Sequence, residues 1–273
     1  MKITISNIAW ENNKLSEYLK FIKNLGCYGI ELAPSTIWPE PINSSLEERK
    51  KFKGLVENLG LKIVGFHALL FSRPDLQLFK TSETREKTIK YLFQMIKLCS
   101  DLGGTQLVFG SPKNRTLHNR KYFECLSQAK EDFFKLAEFA KKFNIFFCIE
   151  PLGKDETEFI QSIEEGGNIV NDINHPHFRL HIDTKAIFAT KENPEEKIFK
   201  FKNLIQHIHI GDTNLKEPGS VNKGHSQIGN ALKKINYSNF LSIEMRKPEK
   251  NIKEVISRSI NFVKKNYCNY PIK

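Results

Sequence analysis

The sequence predicts a single (β/α)8 barrel, an α/β fold of eight parallel strands alternating with helices, with residues 1–273 forming one domain. Three observations support this prediction. Short apolar segments recur along the chain, segments of helical periodicity lie between them, and acidic or imidazole side chains stand where several apolar segments end. The eight expected strands are ITIS at 3–6, GIEL at 29–32, KIVGF at 62–66, QLVFG at 106–110, IFFCI at 145–149, FRLHI at 178–182, IQHIHI at 205–210 and FLSIE at 240–244.

The spacing of these segments fits a barrel. Their ends lie 25 to 42 residues apart, which is near the length of a βα unit. The clearest helix is TIKYLFQMIKLCSDLG, whose apolar residues form one stripe before a glycine pair. Ser45 with Glu48 has capping-box spacing, and Asn193 precedes a proline and two acids, as at a helix start. A doubly wound open sheet is the alternative, but no glycine-rich phosphate turn follows the first strand.

Composition narrows the class of protein. With 40% hydrophobic residues and 21 phenylalanines, the chain is expected to have a well-filled core. No apolar stretch reaches the roughly 18 residues of a membrane span, so we expect a cytoplasmic protein with no membrane partner. The five cysteines are odd in number and widely spaced, which argues against a disulfide framework. The net charge of +11 admits a nucleic-acid partner, but the lysines are spread along the chain, which favours a solvated basic surface instead.

Four side chains at the ends of the last four predicted strands are candidate metal ligands: Glu150, Asp183, His209 and Glu244. Alternate residues of a strand face opposite sides, and the apolar residues beside these four would face the helices. The four polar groups would then converge at the C-terminal mouth of the barrel. Each alone is equally consistent with a helix cap or a packed core residue, whereas four with matching parity predict one divalent metal. Three carboxylates and one imidazole suit Mn²⁺ best, with Mg²⁺, Co²⁺ or Zn²⁺ as alternatives.

Other residues are expected near this mouth. Glu31 and His67 end the second and third strands facing inward, where they could orient a bound molecule, join a second metal or, for His67, simply pack. Trp38, in the loop APSTIWPEPIN, is expected either to close over the site or to pin its loop. His225 falls in a predicted loop and is a candidate contact at the rim.

The segments CIEP, HIDT, HIHIGD and SIEM resemble, in this order, those of the xylose isomerase-like barrel family of sugar isomerases and epimerases, especially the ketose 3-epimerases. The resemblance covers essentially the whole chain. It implies that the four candidate ligands bind one metal, and that Glu150 and Glu244 act as acid and base on opposite faces of a sugar, through an enediolate. Glu156 matches a substrate-contacting glutamate of the epimerases.

The chain departs from the family pattern where substrate would bind. Ala186 stands where relatives commonly have a histidine, Leu215 stands beside Lys216 where the epimerases have an arginine, and Lys154 follows a glycine where an Asn-Arg pair is frequent. Lys154, Lys185 and Lys216 follow the fifth, sixth and seventh strands closely, which predicts a rim suited to an anionic sugar phosphate or sugar acid. The sequence therefore predicts the metal ligands more firmly than the substrate.

Two other functions compete with a metal-dependent sugar isomerase or epimerase. The same barrel family includes an abasic-site endonuclease with a three-metal cluster, which would use the basic charge but needs more ligands than this chain offers. A non-catalytic carbohydrate-binding barrel would tolerate the departures, although the pair of glutamates argues against it. A small carbohydrate is the expected partner, and a homo-oligomer is left open.

Overall fold

Eight parallel strands close into a barrel in chain order, and β8 pairs with β1. The structure is a computed structural model that describes residues 1–190 and 192–268. The strands are β1 Lys2–Ser6, β2 Gly29–Leu32, β3 Lys62–Phe66, β4 Gln106–Phe109, β5 Phe146–Ile149, β6 Phe178–Asp183, β7 Ile205–Ile210 and β8 Phe240–Ile243. All eight predicted strands are present, with ends within one residue of the prediction. The barrel is therefore confirmed, and the open sheet is wrong.

Helices surround the barrel. They are α1 Leu15–Asn24, α2 Leu46–Glu57, α3 Ser82–Asp101, α4 Tyr122–Lys141, α5 Ile163–Ile173, α6 Thr184–Thr190, α7 Pro194–Lys200, α8 His225–Lys234 and α9 Ile252–Tyr267. Ser45 caps α2 with the predicted reciprocal bonds to Glu48, and Asn193 caps α7 by accepting from two backbone N–H groups. Helix α3 begins earlier than its apolar stripe indicated, because Thr81 accepts from the backbone N–H of Thr84 and caps an extra polar turn. None of the helices in the described ranges has the length and apolarity needed to cross a membrane.

Phenylalanines fill part of the layer between the barrel and the helices. Phe133 of α4 packs against Phe147 of β5 and Phe178 of β6, with ring centroids 6.1 and 5.3 Å apart, and Phe109 of β4 joins them. All four rings are fully buried. Burying one such side chain contributes roughly 1.5–3 kcal/mol to stability, so this layer fixes the positions of strands β4 to β6.

The barrel interior is polar to an unusual degree. Its axis-facing positions include the fully buried polar groups Thr4, Ser6, Glu31, Gln106, His181, His207 and Ser242. The pairing registers shift between Ile30 and Glu31 on β2 and between Leu180 and His181 on β6, which adjusts the height of these side chains along the axis. The polar interior continues upward into the mouth, where the candidate site lies.

Candidate metal centre

The structure brings the four predicted ligands together at the C-terminal mouth. One ligand atom from each of Glu150, Asp183, His209 and Glu244 lies within 4.8 Å of the other three. Glu150 and Glu244 directly follow β5 and β8, Asp183 ends β6, and His209 is the penultimate residue of β7. Glu150, Asp183 and His209 are 8%, 2% and 1% exposed. Parallel strands of similar length therefore deliver the four groups to one level of the barrel.

The electrostatics of this group are unfavourable without a cation. Burial, assisted by the charges of Asp183 and Glu244, raises the pKa of Glu150 to about 8. Burial and Glu244 also raise the pKa of Asp183 to about 6, against the opposing charge of Lys185. Burial would raise the pKa of Glu244 as well, but the imidazoles of His209 and His67 hold that pKa well below 4.5. Close carboxylates with divergent pKa values are typical of functional sites.

The free atoms of the group fit a hard divalent ion. Asp183 Oδ2 and His209 Nδ1 are buried and lack a hydrogen-bond partner within the described residues. His209 Nδ1 lies 3.2 Å from Glu244 Oε2, a separation suited to two ligands of one ion. The donor set, three carboxylates and one imidazole, matches Mn²⁺, Mg²⁺ or Co²⁺ better than a structural zinc. Asp183, His209, Glu150 and Glu244 could therefore hold such an ion together.

Glu31 and His67 lie next to the ligands, although neither was predicted to contact them. Glu31 is fully buried, and its Oε2 accepts a hydrogen bond from His209 Nε2 at 2.9 Å. His67 Nδ1 lies 3.0 Å from Glu244 Oε1, and His67 Nε2 lies 2.6 Å from the hydroxyl of Ser6. These placements favour support of the ligands over direct contact with a bound molecule, because Glu31 has no exposed surface and His67 is 2% exposed.

A second close set consists of His209 and two deeper imidazoles, His181 and His207, which lie two residues before Asp183 and His209 on β6 and β7. Nitrogen atoms of His181, His207 and His209 fall within 4.8 Å of one another. Burial and the neighbouring imidazoles hold the pKa of His181 well below 6.5, so this ring is neutral.

Lys185 projects over the ligand group. Its Nζ lies 2.9 Å from Glu156 Oε1 and 3.8 Å from Asp183 Oδ2, and its side chain is 16% exposed. Despite this burial, the charges of Asp183, Glu244 and Glu150 raise the pKa of Lys185 above 10.5. The structure thus places Lys185 and Glu156 beside the centre as an ion pair.

The remaining predicted contacts are placed less closely. Lys154 and Lys216 are exposed. The ring of Trp38 packs against Phe52 of α2 with centroids 5.3 Å apart, which is the loop-pinning arrangement. The prediction that His225 lies in a rim loop is wrong, because this residue begins α8, is 1% exposed and places Nδ1 2.6 Å from the hydroxyl of Tyr267. His225 lies on the buried face of α8 together with Ile228 and Leu232.

Sequence reasoning missed Arg115, which lies in the loop after β4. This side chain is fully buried, and its Nη1 donates to the backbone carbonyl of Glu150 at 2.9 Å. Burial lowers the pKa of Arg115 to about 10 against the opposing charges of Glu150 and Glu156. Its loop position carried no signal, since a lone arginine among many basic residues is ordinarily a surface residue.

The fold and this mouth define the class of protein. The family described as xylose isomerase-like TIM barrel matches residues 19–266, and the chain belongs to this family.

Curated relatives include a D-psicose 3-epimerase of Ruminiclostridium cellulolyticum, 23% identical over 250 residues that cover 89% of this chain and 83% of the relative. A D-psicose 3-epimerase of Agrobacterium fabrum is 28% identical over 109 residues, covering 40% of this chain and 38% of the relative. Among solved structures, a D-psicose 3-epimerase in the presence of D-fructose superposes with a TM-score of 0.83 at 18% identity, covering 98% of this chain and all of the other. A 3-keto-D-glucoside 4-epimerase from E. coli gives 0.82 at 17% identity, covering 97% and 99%.

Proposed function

We propose that the chain is a divalent-metal-dependent isomerase or epimerase of a small carbohydrate, with Glu150 and Glu244 as its acid–base pair. The observation that carries this proposal is the convergence of Glu150, Asp183, His209 and Glu244 within 4.8 Å at the barrel mouth. The relatives named as ketose epimerases support the carbohydrate substrate and the reaction class. Mn²⁺ is the ion that we expect, because the donor set is mostly carboxylate oxygen with one imidazole.

A divalent ion held by these four residues would polarise a substrate carbonyl and stabilise negative charge on the neighbouring oxygen. The protein supplies the proton transfers. One of Glu150 and Glu244 takes the proton bound to carbon, and the other returns a proton.

The proton movements follow from this pairing. One of the two glutamates removes the proton from the carbon next to the carbonyl and leaves an enediolate, and the other delivers a proton from its carboxyl oxygen. Delivery to the same carbon on the opposite face gives an epimer. Delivery to the former carbonyl carbon, with the neighbouring hydroxyl proton passing to the former carbonyl oxygen, gives an aldose–ketose exchange.

The Lys185–Glu156 pair would bind the substrate's hydroxyl or anionic groups beside the metal. The ion pair weakens the argument for an anionic substrate, because Glu156 already neutralises Lys185. Lys154 and Lys216 are exposed at the surface. A neutral sugar is therefore at least as compatible with this rim as a phosphate.

The abasic-site endonuclease alternative gains no support from the site. Ala186 is buried and carries no donor atom at the position where a further ligand would be needed. A non-catalytic barrel would have no use for two glutamates with opposite pKa shifts.

The decisive experiment combines metal analysis of the purified protein with a substrate screen. Ketoses, aldoses and their phosphates would be incubated with the metal-loaded protein in deuterated water, and deuterium at carbon would be measured by NMR. Metal-dependent exchange that is lost in Glu150→Gln and Glu244→Gln supports the proposal. Absence of a bound ion, or exchange that persists in both metal-loaded variants, would refute it.

A further inference from the structure

A row of contacting side chains crosses the barrel at and below the level of the proposed metal centre. Imidazoles and carboxylates alternate along the middle of this row. The contacts run Ser6 Oγ to His67 Nε2 (2.6 Å), His67 Nδ1 to Glu244 Oε1 (3.0 Å), Glu244 Oε2 to His209 Nδ1 (3.2 Å), His209 Nε2 to Glu31 Oε2 (2.9 Å), Glu31 Oε1 to His207 Nε2 (3.1 Å) and His207 Nδ1 to Gln106 Nε2 (3.0 Å). Only two members, His209 and Glu244, are candidate ligands. The others hold no ligand atom of the proposed centre.

The far end of the row favours one arrangement of ring hydrogens. The Gln106 amide nitrogen lies 3.0 Å from His207 Nδ1, and the amide oxygen lies 3.3 Å from the hydroxyl of Thr105, which also contacts the carbonyl of Val64 at 3.2 Å. The amide nitrogen can only donate, which makes His207 Nδ1 an acceptor and places the ring hydrogen of neutral His207 on Nε2. His207 Nε2 lies 3.1 Å from Glu31 Oε1, although the two atoms are not aligned as a hydrogen bond.

Glu31 then determines the tautomer of His209. Its second oxygen accepts from His209 Nε2 in a well-aligned hydrogen bond, and the carboxylate is fully buried, so water cannot take its place. A metal-binding imidazole carries one ring hydrogen; with that hydrogen held on Nε2 by Glu31, the lone pair of His209 lies on Nδ1. Nδ1 is the nitrogen that faces Glu244 and has no hydrogen-bond partner in the described chain.

The near end of the row acts on Glu244 in the same way. The ionised carboxylate of Glu244 can only accept, so the hydrogen of His67 lies on Nδ1, 3.0 Å from Glu244 Oε1. Ser6, whose oxygen accepts from the backbone N–H of Ile8, then donates its own hydrogen to His67 Nε2. Glu244 Oε2 remains for an ion on the side of His209.

From these contacts we infer that Glu31 is a positioning residue that makes His209 a metal ligand through Nδ1, and that His67 likewise orients Glu244. The inference rests on the proposed metal centre and adds the residues that aim its ligands. Groups that hydrogen-bond the ligands of a metal generally fix their orientation, and their removal weakens metal affinity by about 10–100-fold.

The first test compares divalent-ion affinity in the wild type, Glu31→Gln and a matched control. Glu138→Gln is that control, because Glu138 also contacts an imidazole, His175 Nε2 at 2.6 Å, but lies on the surface. Titration with Mn²⁺ against a competing chelator should show dissociation constants about 10–100-fold higher for Glu31→Gln and unchanged for Glu138→Gln. His67→Gln should weaken binding in the same direction.

Unchanged affinity in a folded Glu31→Gln variant would overturn the inference and leave the metal centre standing. A wild type that binds no ion would overturn both. These two failures are distinguished in the same titration.

A second measurement uses the wild type and does not depend on any variant folding. The protein is prepared with isotopically labelled histidine and loaded with a spin-active cadmium isotope, and the one-bond cadmium–nitrogen coupling is recorded by NMR. The coupling should appear at Nδ1 of His209, with Nε2 still carrying its hydrogen. Coupling at Nε2 would overturn the inference even if Glu31→Gln also lost affinity, because a merely structural Glu31 does not select the nitrogen.

Discussion

Replacing Gly110 with alanine should disable the metal centre without removing a ligand. Gly110 directly follows β4, and a Cβ added there would lie 2.1 Å from Glu150 Oε2 and 3.1 Å from Glu150 Cδ. Carbon and oxygen atoms that are not bonded do not approach this closely, so the Glu150 carboxylate would have to move by about 1 Å.

The backbone of Glu150 is restrained, so its side chain must take up the displacement. Arg115 holds its backbone carbonyl at 2.9 Å, and Pro151 follows it directly. Metal ligands tolerate about 0.2 Å of displacement, and a misplacement of about 1 Å can cost a reaction roughly 10²-fold. We therefore expect Gly110→Ala to bind Mn²⁺ at least ~10-fold more weakly and to lose about 10²-fold in turnover.

The assay is chelator competition for the ion, followed by turnover at saturating metal, with Gly54→Ala as the control. Gly54 lies inside α2, and an added Cβ there meets nothing within 4 Å. That substitution should leave metal affinity unchanged and stabilise the helix by roughly 0.5–1 kcal/mol. Wild-type metal affinity and turnover in a folded Gly110→Ala protein would refute the reasoning about the position of Glu150.

Three further predictions concern the same centre. Glu150→Gln and Glu244→Gln should each lower turnover by at least ~10² with the fold intact, and wild-type turnover in either metal-loaded variant would show that the acid–base roles are misassigned. The pKa of Glu150 is raised to about 8 and that of Asp183 to about 6. The folded metal-free protein therefore binds more protons than the unfolded chain, and these two groups make its free energy of unfolding fall as pH rises through that range. Because an ion displaces those protons, the rise in melting temperature on adding Mn²⁺ should grow between about pH 5 and pH 8, and EDTA should abolish it; an increment independent of pH would contradict this. Lys185→Ala should raise KM for substrate, and if the substrate is anionic the increase should exceed that for its neutral analogue, with added phosphate competing; equal effects on both would exclude the anionic class.

The sequence by itself determined the strands, the barrel and the convergence of the four candidate ligands. These features are local: an apolar run of five or so residues fixes a strand, and the alternation of side chains along it fixes which residues face the axis. Glu150 follows such a run and precedes a proline, and Asp183 and His209 lie on the axis-facing side of theirs. Since all strands of a parallel barrel point the same way, their C-terminal ends meet at one mouth, and the convergence follows without knowledge of any tertiary contact.

Only the tertiary structure decided what surrounds the ligands. Glu31 and His209 are 178 residues apart in the chain. Closure of the barrel, and not any spacing in the sequence, places Glu31 Oε2 2.9 Å from His209 Nε2. The height at which an axis-facing side chain stands depends on how neighbouring strands are staggered, and the register shift on β2 at Glu31 has no signature in the sequence. Arg115 and Glu156 come from loops, whose paths depend on everything packed beneath them, and Lys185 comes from the first turn of α6. The periodicity along one strand specifies which side chains point toward the barrel axis. A contact across the closed barrel depends instead on how all eight strands are staggered.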